Sequence, residues 1–344
     1  MSVQYLFCGA WAMRQKVSGV TCFRADGGLM KKAGIWGEEL DGQSILTIAG
    51  NHLVSVCETR DGGKIVSYQV MPDGALEKRD VFVCDTPLLS YVSASPDGKY
   101  VFVSSMGSNT VKMVRLSDAG RLTLTDEWML TGHSVTPRQT AAKTHSVMVS
   151  PDGSLLAAAN LGADEVELFR IDYERECLRL IQSLAVDMGR QPRHLAFHPS
   201  GRYLYLLTEA GNRIYVYREK NGQFQELAAY NTLDPDGEPT GMAADIVVSS
   251  DGRFVYSTNR GQHNIALWSV LDSGLLDSAG FFNCGGEGPR GLNISPDGKT
   301  LFCANNDSGT VTIMPLDIET GRPGAAAQTL EVPFAGCVRS IGKE

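Results

Sequence analysis

The chain lacks most of the features that would place it quickly. No window approaches 18 consecutive apolar residues, so no segment reads as a transmembrane helix. The N-terminus has neither the basic start nor the uninterrupted apolar stretch of a signal peptide, so a soluble, cytoplasmic protein is expected. Basic residues are in deficit: 31 Lys and Arg against 39 Asp and Glu leave a net charge of −8. That balance excludes the broad basic face of a nucleic-acid binder but leaves room for a few arginines to dominate one pocket. The eight cysteines form no CxxC pair and no Cys/His cluster of zinc spacing, and most lie in apolar strand-like runs such as Leu301-Phe302-Cys303. They read as small buried hydrophobes, with neither structural zinc nor a redox dithiol. Prolines number only 14 against 37 glycines, a ratio suited to many tight turns.

What is present is a repeat. A turn of the form Ser/His-Pro-Asp/Ser-Gly recurs at Ser95-Pro96-Asp97-Gly98, Ser150-Pro151-Asp152-Gly153, His198-Pro199-Ser200-Gly201, Ser249-Ser250-Asp251-Gly252 and Ser295-Pro296-Asp297-Gly298. The second turn residues lie 55, 48, 51 and 46 positions apart, and a degenerate copy surrounds Ala49-Gly50-Asn51. Each turn is followed by a β-rich run such as Tyr203-Leu204-Tyr205-Leu206, then a second alternating strand such as Arg213-Ile214-Tyr215-Val216-Tyr217, then a weaker third. With the strand that enters the turn, each unit is a four-stranded antiparallel meander, a to d. A period near 50 over 344 residues predicts an all-β fold, a seven-bladed β-propeller occupying residues 1–344 as one domain. The Gly-His and Trp-Asp dipeptides of WD40 repeats do not recur. Residues 3–8 and 19–24 read as strands b and c with no a before them, and 336–341 as an a with nothing after it. Pairing of the two terminal segments in one blade would close the ring and remove its open edges.

In such a blade the start of strand a and the end of strand b lie at the same end of the channel. Six residues before the second turn position stand Ser90, His145, Arg193, Ala244 and Arg290; ten after it stand Met106, Leu161, Glu209, Arg260 and Asn306. Five ionisable groups from four blades therefore converge on one rim. Any one of them is an ordinary solvated rim charge. Five in register, with three arginines near an axis, imply a resident anion that offsets their repulsion. The long connection from Thr131 to Lys143, with Arg138, and the segment from Leu233 to Ala243, before Asp245, should overhang the same rim as pocket walls. Gly285-Gly286-Glu287-Gly288 does not open a helix and is not a phosphate loop. His52, His194, His198 and His263 read as turn or face residues, and no nucleophile elbow or calcium loop is visible.

The strings Thr144-His145-Ser146, Gln191-Pro192-Arg193-His194, Thr208-Glu209, Asn259-Arg260 and Gly288-Pro289-Arg290-Gly291 resemble the lactonase family of seven-bladed propellers. That family includes bacterial 6-phosphogluconolactonases and the fungal carboxy-cis,cis-muconate cyclase. The resemblance implies no metal and no organic cofactor, and a small anionic lactone as partner. It also implies that His145, Arg193, Arg260 and Glu209 surround the substrate, with Arg60 near a further family arginine. Lactone hydrolysis develops negative charge on the carbonyl oxygen, which arginines can stabilise. On that reading Arg193 and Arg260 face the oxyanion, either His145 or Glu209 is the general base, and Arg290, Asp245, Arg138 and Arg60 are substrate-binding candidates. The expected reaction is hydrolysis of an anionic sugar lactone such as 6-phosphogluconolactone. A lactonising cycloisomerase needs similar groups and stays open, as does a non-catalytic interaction platform.

Overall fold

The computed structural model describes residues 3–11 and 16–342. Seven four-stranded antiparallel sheets form a ring, each running from an innermost strand a to an outermost strand d. The innermost strands are Gln43–Ala49, Leu89–Ala94, Thr144–Val149, Pro192–Phe197, Ala243–Val248 and Pro289–Ile294 in blades 1 to 6, and Ala335–Gly342 in blade 7. Blade 7 completes itself from the other end of the chain: Ala335–Gly342 pairs with Val3–Ala10, followed outward by Ser18–Asp26 and Leu29–Asp41. The closure expected from the unpaired terminal segments is the one observed.

The inner strands are buried on both faces, while the d strands are polar and open, as in Cys177–Ala185. Apolar side chains accordingly gather between blades, in seven clusters that each bridge two neighbouring sheets. All eight cysteines are free thiols and seven are buried, as the sequence implied.

The repeated turns explain themselves chemically. Ser95 Oγ donates to Asp97 Oδ1 at 2.6 Å and accepts the Tyr100 amide at 3.0 Å. The same serine–aspartate bond recurs at 2.6 Å in the turns beginning at Ser150, Ser249 and Ser295. Glycine then takes a left-handed φ, +71° at both Gly98 and Gly201. The two differ in surroundings: a β-carbon on Gly98 would lie 2.6 Å from the Gly50 amide nitrogen, whereas Gly201 has nothing within 4 Å. Gly201→Ala should therefore cost about 1–2 kcal/mol, the backbone term alone. Gly98→Ala should cost clearly more, because backbone of the preceding blade must shift. Denaturant unfolding of the two variants measures this, and equal losses would contradict it.

Candidate active site

Strand a does not pair regularly with strand b. In every blade the register slips by one residue near the mouth, leaving an extra residue on strand a. The extra residues are Ser44, Ser90, His145, Arg193, Arg290 and Gly336, with Ala244 or Asp245 in blade 5. A β-bulge bends the strand and re-aims a side chain. Here it is repeated around the axis, so that one position per blade faces the channel mouth.

A second ring stands directly behind the first. The residue after each strand b donates its amide to a carbonyl just ahead of strand a, as in Glu209 to Gln191 at 2.8 Å and Arg260 to Met242 at 3.1 Å. Its members are Trp11, Glu58, Met106, Leu161, Glu209, Arg260 and Asn306. Glu58 and Trp11 were not found from the sequence. Counting from the Pro-Asp-Gly turn reached only blades with an intact turn. Counting from the end of strand b would have found both.

The rings enclose a cavity of about 330 Å³. His145, Arg193, Glu209, Arg260 and Arg290 all line it, as do Arg138 and Arg60 at its edge. The Thr131–Lys143 connection overhangs the rim and delivers Arg138, and Met242 comes from the 233–243 segment. A wider depression of about 510 Å³ lies between blades 3 and 4 at their Pro151-Asp152-Gly153 and Pro199-Ser200-Gly201 turns, on the opposite face of the ring. It gathers ordinary turn residues and no converging cluster of like charge.

Glu209 is the hub of the charges. Its Oε2 accepts Arg193 Nε at 2.8 Å and forms an ion pair with Arg260 Nη2 at 3.2 Å, and its Oε1 accepts Arg138 Nη1 at 2.8 Å. Burial works against its ionisation, but the Arg193, Arg260 and Arg138 guanidiniums outweigh it and hold the carboxyl down at about 2. Cation crowding shows in the arginines themselves. Burial, then Arg193, lowers Arg260 to about 10; burial, then Arg193 and Arg260, lowers Arg290 to about 9. Arg290 stacks over Trp11, its guanidinium carbon 3.7 Å from the ring centroid. Among the described residues Arg290 forms no hydrogen bond, and Arg193 Nη2 and Arg260 Nη1 also lack partners, so all three keep donors for a ligand. Burial, and then Arg193, push His145 well below the usual imidazole range, so it is neutral at neutral pH.

Two sequence readings change. His194 is not a turn or face residue: it is buried beneath the cup, edge-to-face with His145 at 5.3 Å and Tyr91 at 4.9 Å between ring centroids. Asp245 does not line the cavity but lies a layer deeper. Its Oδ1 binds His194 Nδ1 at 2.7 Å, and its carboxylate also accepts the amides of Leu292 and Ile246. An ionised Asp245 requires the proton on His194 Nδ1, which leaves Nε2 to accept from Arg193 Nη1 at 3.0 Å. Arg193 also donates Nη1 to the Ala244 carbonyl. Asp245 and His194 thus position Arg193 and need not meet a ligand themselves.

Burial, with Arg193 beside it, lowers His194 to about 4 against Asp245's opposing pull. The unfolded chain, with an ordinary imidazole near 6.5, takes up a proton that the folded chain refuses. Stability should therefore fall as pH drops from about 6.5 toward about 4. His194→Gln should flatten part of that slope, the remainder belonging to His145. Thermal unfolding across the window at constant ionic strength checks this, and an unchanged slope in the variant would contradict it.

A family described as Lactonase, 7-bladed beta-propeller matches residues 12–340. A protein named 6-phosphogluconolactonase from Bacillus subtilis is 28% identical over 303 residues, 86% of either chain. Another of that name from Formosa agariphila is 29% identical over 294 residues, 82% of this chain and 83% of its own. Among solved structures, a periplasmic gluconolactonase from Pseudomonas aeruginosa superposes over the full length of both chains with a TM-score of 0.90 and 27% identity. With the fold, the closure and the match in agreement, the chain belongs to the lactonase family of seven-bladed β-propellers.

Proposed function

We propose that the protein is a lactone hydrolase acting on an anionic sugar lactone of the 6-phosphogluconolactone class. One observation carries the choice of an anion: five arginines line the cavity against two carboxylates, Glu58 and Glu209, in a protein whose net charge is −8. Glu209 is already shared among three of those arginines, and Arg290 has no hydrogen-bonded partner among the described residues. A phosphate or carboxylate at Arg290 would offset its crowding and accept paired hydrogen bonds. The relatives named 6-phosphogluconolactonase support hydrolysis rather than cycloisomerisation.

The chemistry follows from the free donors. Arg193 Nη2 and Arg260 Nη1 are aligned by the bonds their other nitrogens make, and would stabilise the oxyanion as water adds to the lactone carbonyl. Glu209, held near 2 and bonded on both oxygens, is a poor base and acts by fixing these arginines. His145 is neutral and receives the proton. An anionic substrate neutralises the cations that depress it and so makes the imidazole more basic in the complex.

Proton release measured on phosphorylated, carboxylated and neutral lactones tests the assignment, against the spontaneous rate. The charged lactones should be preferred, and His145→Ala should lower kcat by about a hundredfold or more with the fold retained. Arg290→Ala should raise KM roughly tenfold to a hundredfold for charged substrates only. Near-normal turnover without His145, or an equal KM change on a neutral lactone, would contradict these roles.

A further inference from the structure

Beneath the cup the channel narrows to a niche in which the space open to the centre of a water molecule is about 10 Å³, roughly what one water requires. Glu58, Ser90, His145, Arg193 and His194 form its polar wall, with Arg290 above. Most of these groups are committed elsewhere. Ser90 Oγ donates to the Thr144 carbonyl at 2.8 Å, His194 uses both ring nitrogens, and Arg193 directs Nε and Nη1 to other partners. Two groups retain acceptor capacity. The His145 imidazole makes no hydrogen bond among the described residues, its buried Nδ1 having no partner, and only its main-chain carbonyl is engaged, accepting Ser104 Oγ at 3.2 Å. A buried polar atom in that state costs free energy until a solvent molecule or ligand meets it. Glu58 is surrounded by protein on all sides yet keeps part of its surface on the cavity, and lines both cup and niche. Its Oε2 accepts Ser44 Oγ at 3.1 Å and its carboxylate also bonds the Trp11 side chain, which leaves lone pairs over.

We propose that this niche seats the hydrolytic water and that Glu58 is a further catalytic residue, holding one proton of that water while His145 accepts the other. The inference rests on the lactone-hydrolase reading above. With both protons engaged from below, the water oxygen presents a lone pair to the lactone carbonyl in the cup. The oxygen–carbon bond forms as His145 takes one proton. The tetrahedral oxyanion, facing Arg193 and Arg260, collapses; the ring carbon–oxygen bond breaks, and the imidazolium returns its proton to the departing alkoxide. The product is the hydroxy acid, which ionises to solvent. Glu58 stays ionised throughout and its charge favours the transient imidazolium. Burial raises the Glu58 carboxyl above the ordinary value although Arg290 pulls it down, so it is a stronger acceptor than Glu209. Neither of its protein hydrogen bonds requires a negative charge, so glutamine fills the same space but presents an amide in place of one acceptor oxygen.

Wild type, Glu58→Gln and Glu58→Asp are compared for proton release on the best lactone of the panel, with thermal unfolding as a control. Glu58→Gln should lower kcat about a hundredfold with KM within about threefold, and Glu58→Asp should fall between it and wild type. Wild-type kcat in Glu58→Gln overturns the role of Glu58 and leaves the lactone-hydrolase reading intact. Absence of hydrolysis by the wild type overturns that reading instead. A high-resolution crystal structure of the wild type decides independently of variant folding. An ordered water within hydrogen-bonding distance of both Glu58 and His145 supports the proposal, and a water bonded to neither contradicts it.

Discussion

The site depends on one carboxylate. Glu209 gathers Arg193, Arg260 and Arg138 from an inner strand, a strand end and an overhanging loop. Without that negative centre, the guanidiniums would repel one another in a setting where water screens them poorly. With it, they are still incompletely compensated, as the lowered Arg260 and Arg290 show. On the proposed reading, the remaining imbalance is what favours an anion in the cup. On that reading the same ion pairing makes Glu209 a poor base, because an acid that ionises near 2 has little affinity for a proton at neutral pH. The proposed mechanism therefore gives structural organisation and proton transfer to different residues.

An asymmetric site on a sevenfold scaffold needs a way to vary side chains without varying backbone. The bulge in strand a supplies it. Each blade presents one channel-facing position there and one behind it at the end of strand b, while the turns and the inter-blade clusters remain similar. Serine, histidine, arginine and glycine all occupy the bulge position in different blades. The polar layer beneath, Asp245 to His194 to Arg193, then fixes the tautomer and the orientation that the cup requires.

Much of this was legible in the chain. The Ser-Pro-Asp-Gly turns carry their own hydrogen-bonding logic, so they mark blades wherever they occur, and the unpaired segments at the two ends announce the closure. Fixed offsets from the turn then located His145, Arg193, Glu209, Arg260 and Arg290. Two positions, His194 and Asp245, differ because of the bulge. Period-two reasoning puts neighbours such as Arg193 and His194 on opposite faces, but the extra residue breaks the alternation and both end near the axis. The sequence therefore does not show that His194 lies beneath the cup, or that Asp245 sits one layer below the cavity rather than on it. Glu58 and Trp11 escaped because their blades lack the turn used as the ruler, although they sit at the same structural position.

The central claim is that the arginine cup binds the anionic group of a lactone or of its hydroxy-acid product. The most direct measurement is a crystal structure with a phosphorylated sugar acid such as 6-phosphogluconate bound. The phosphate should lie against Arg290, and the carboxylate should lie within hydrogen-bonding distance of Arg193 and Arg260, above His145. A ligand bound only among the turns of blades 3 and 4 on the opposite face of the ring, or no binding to the cup at saturating concentration, would contradict the account.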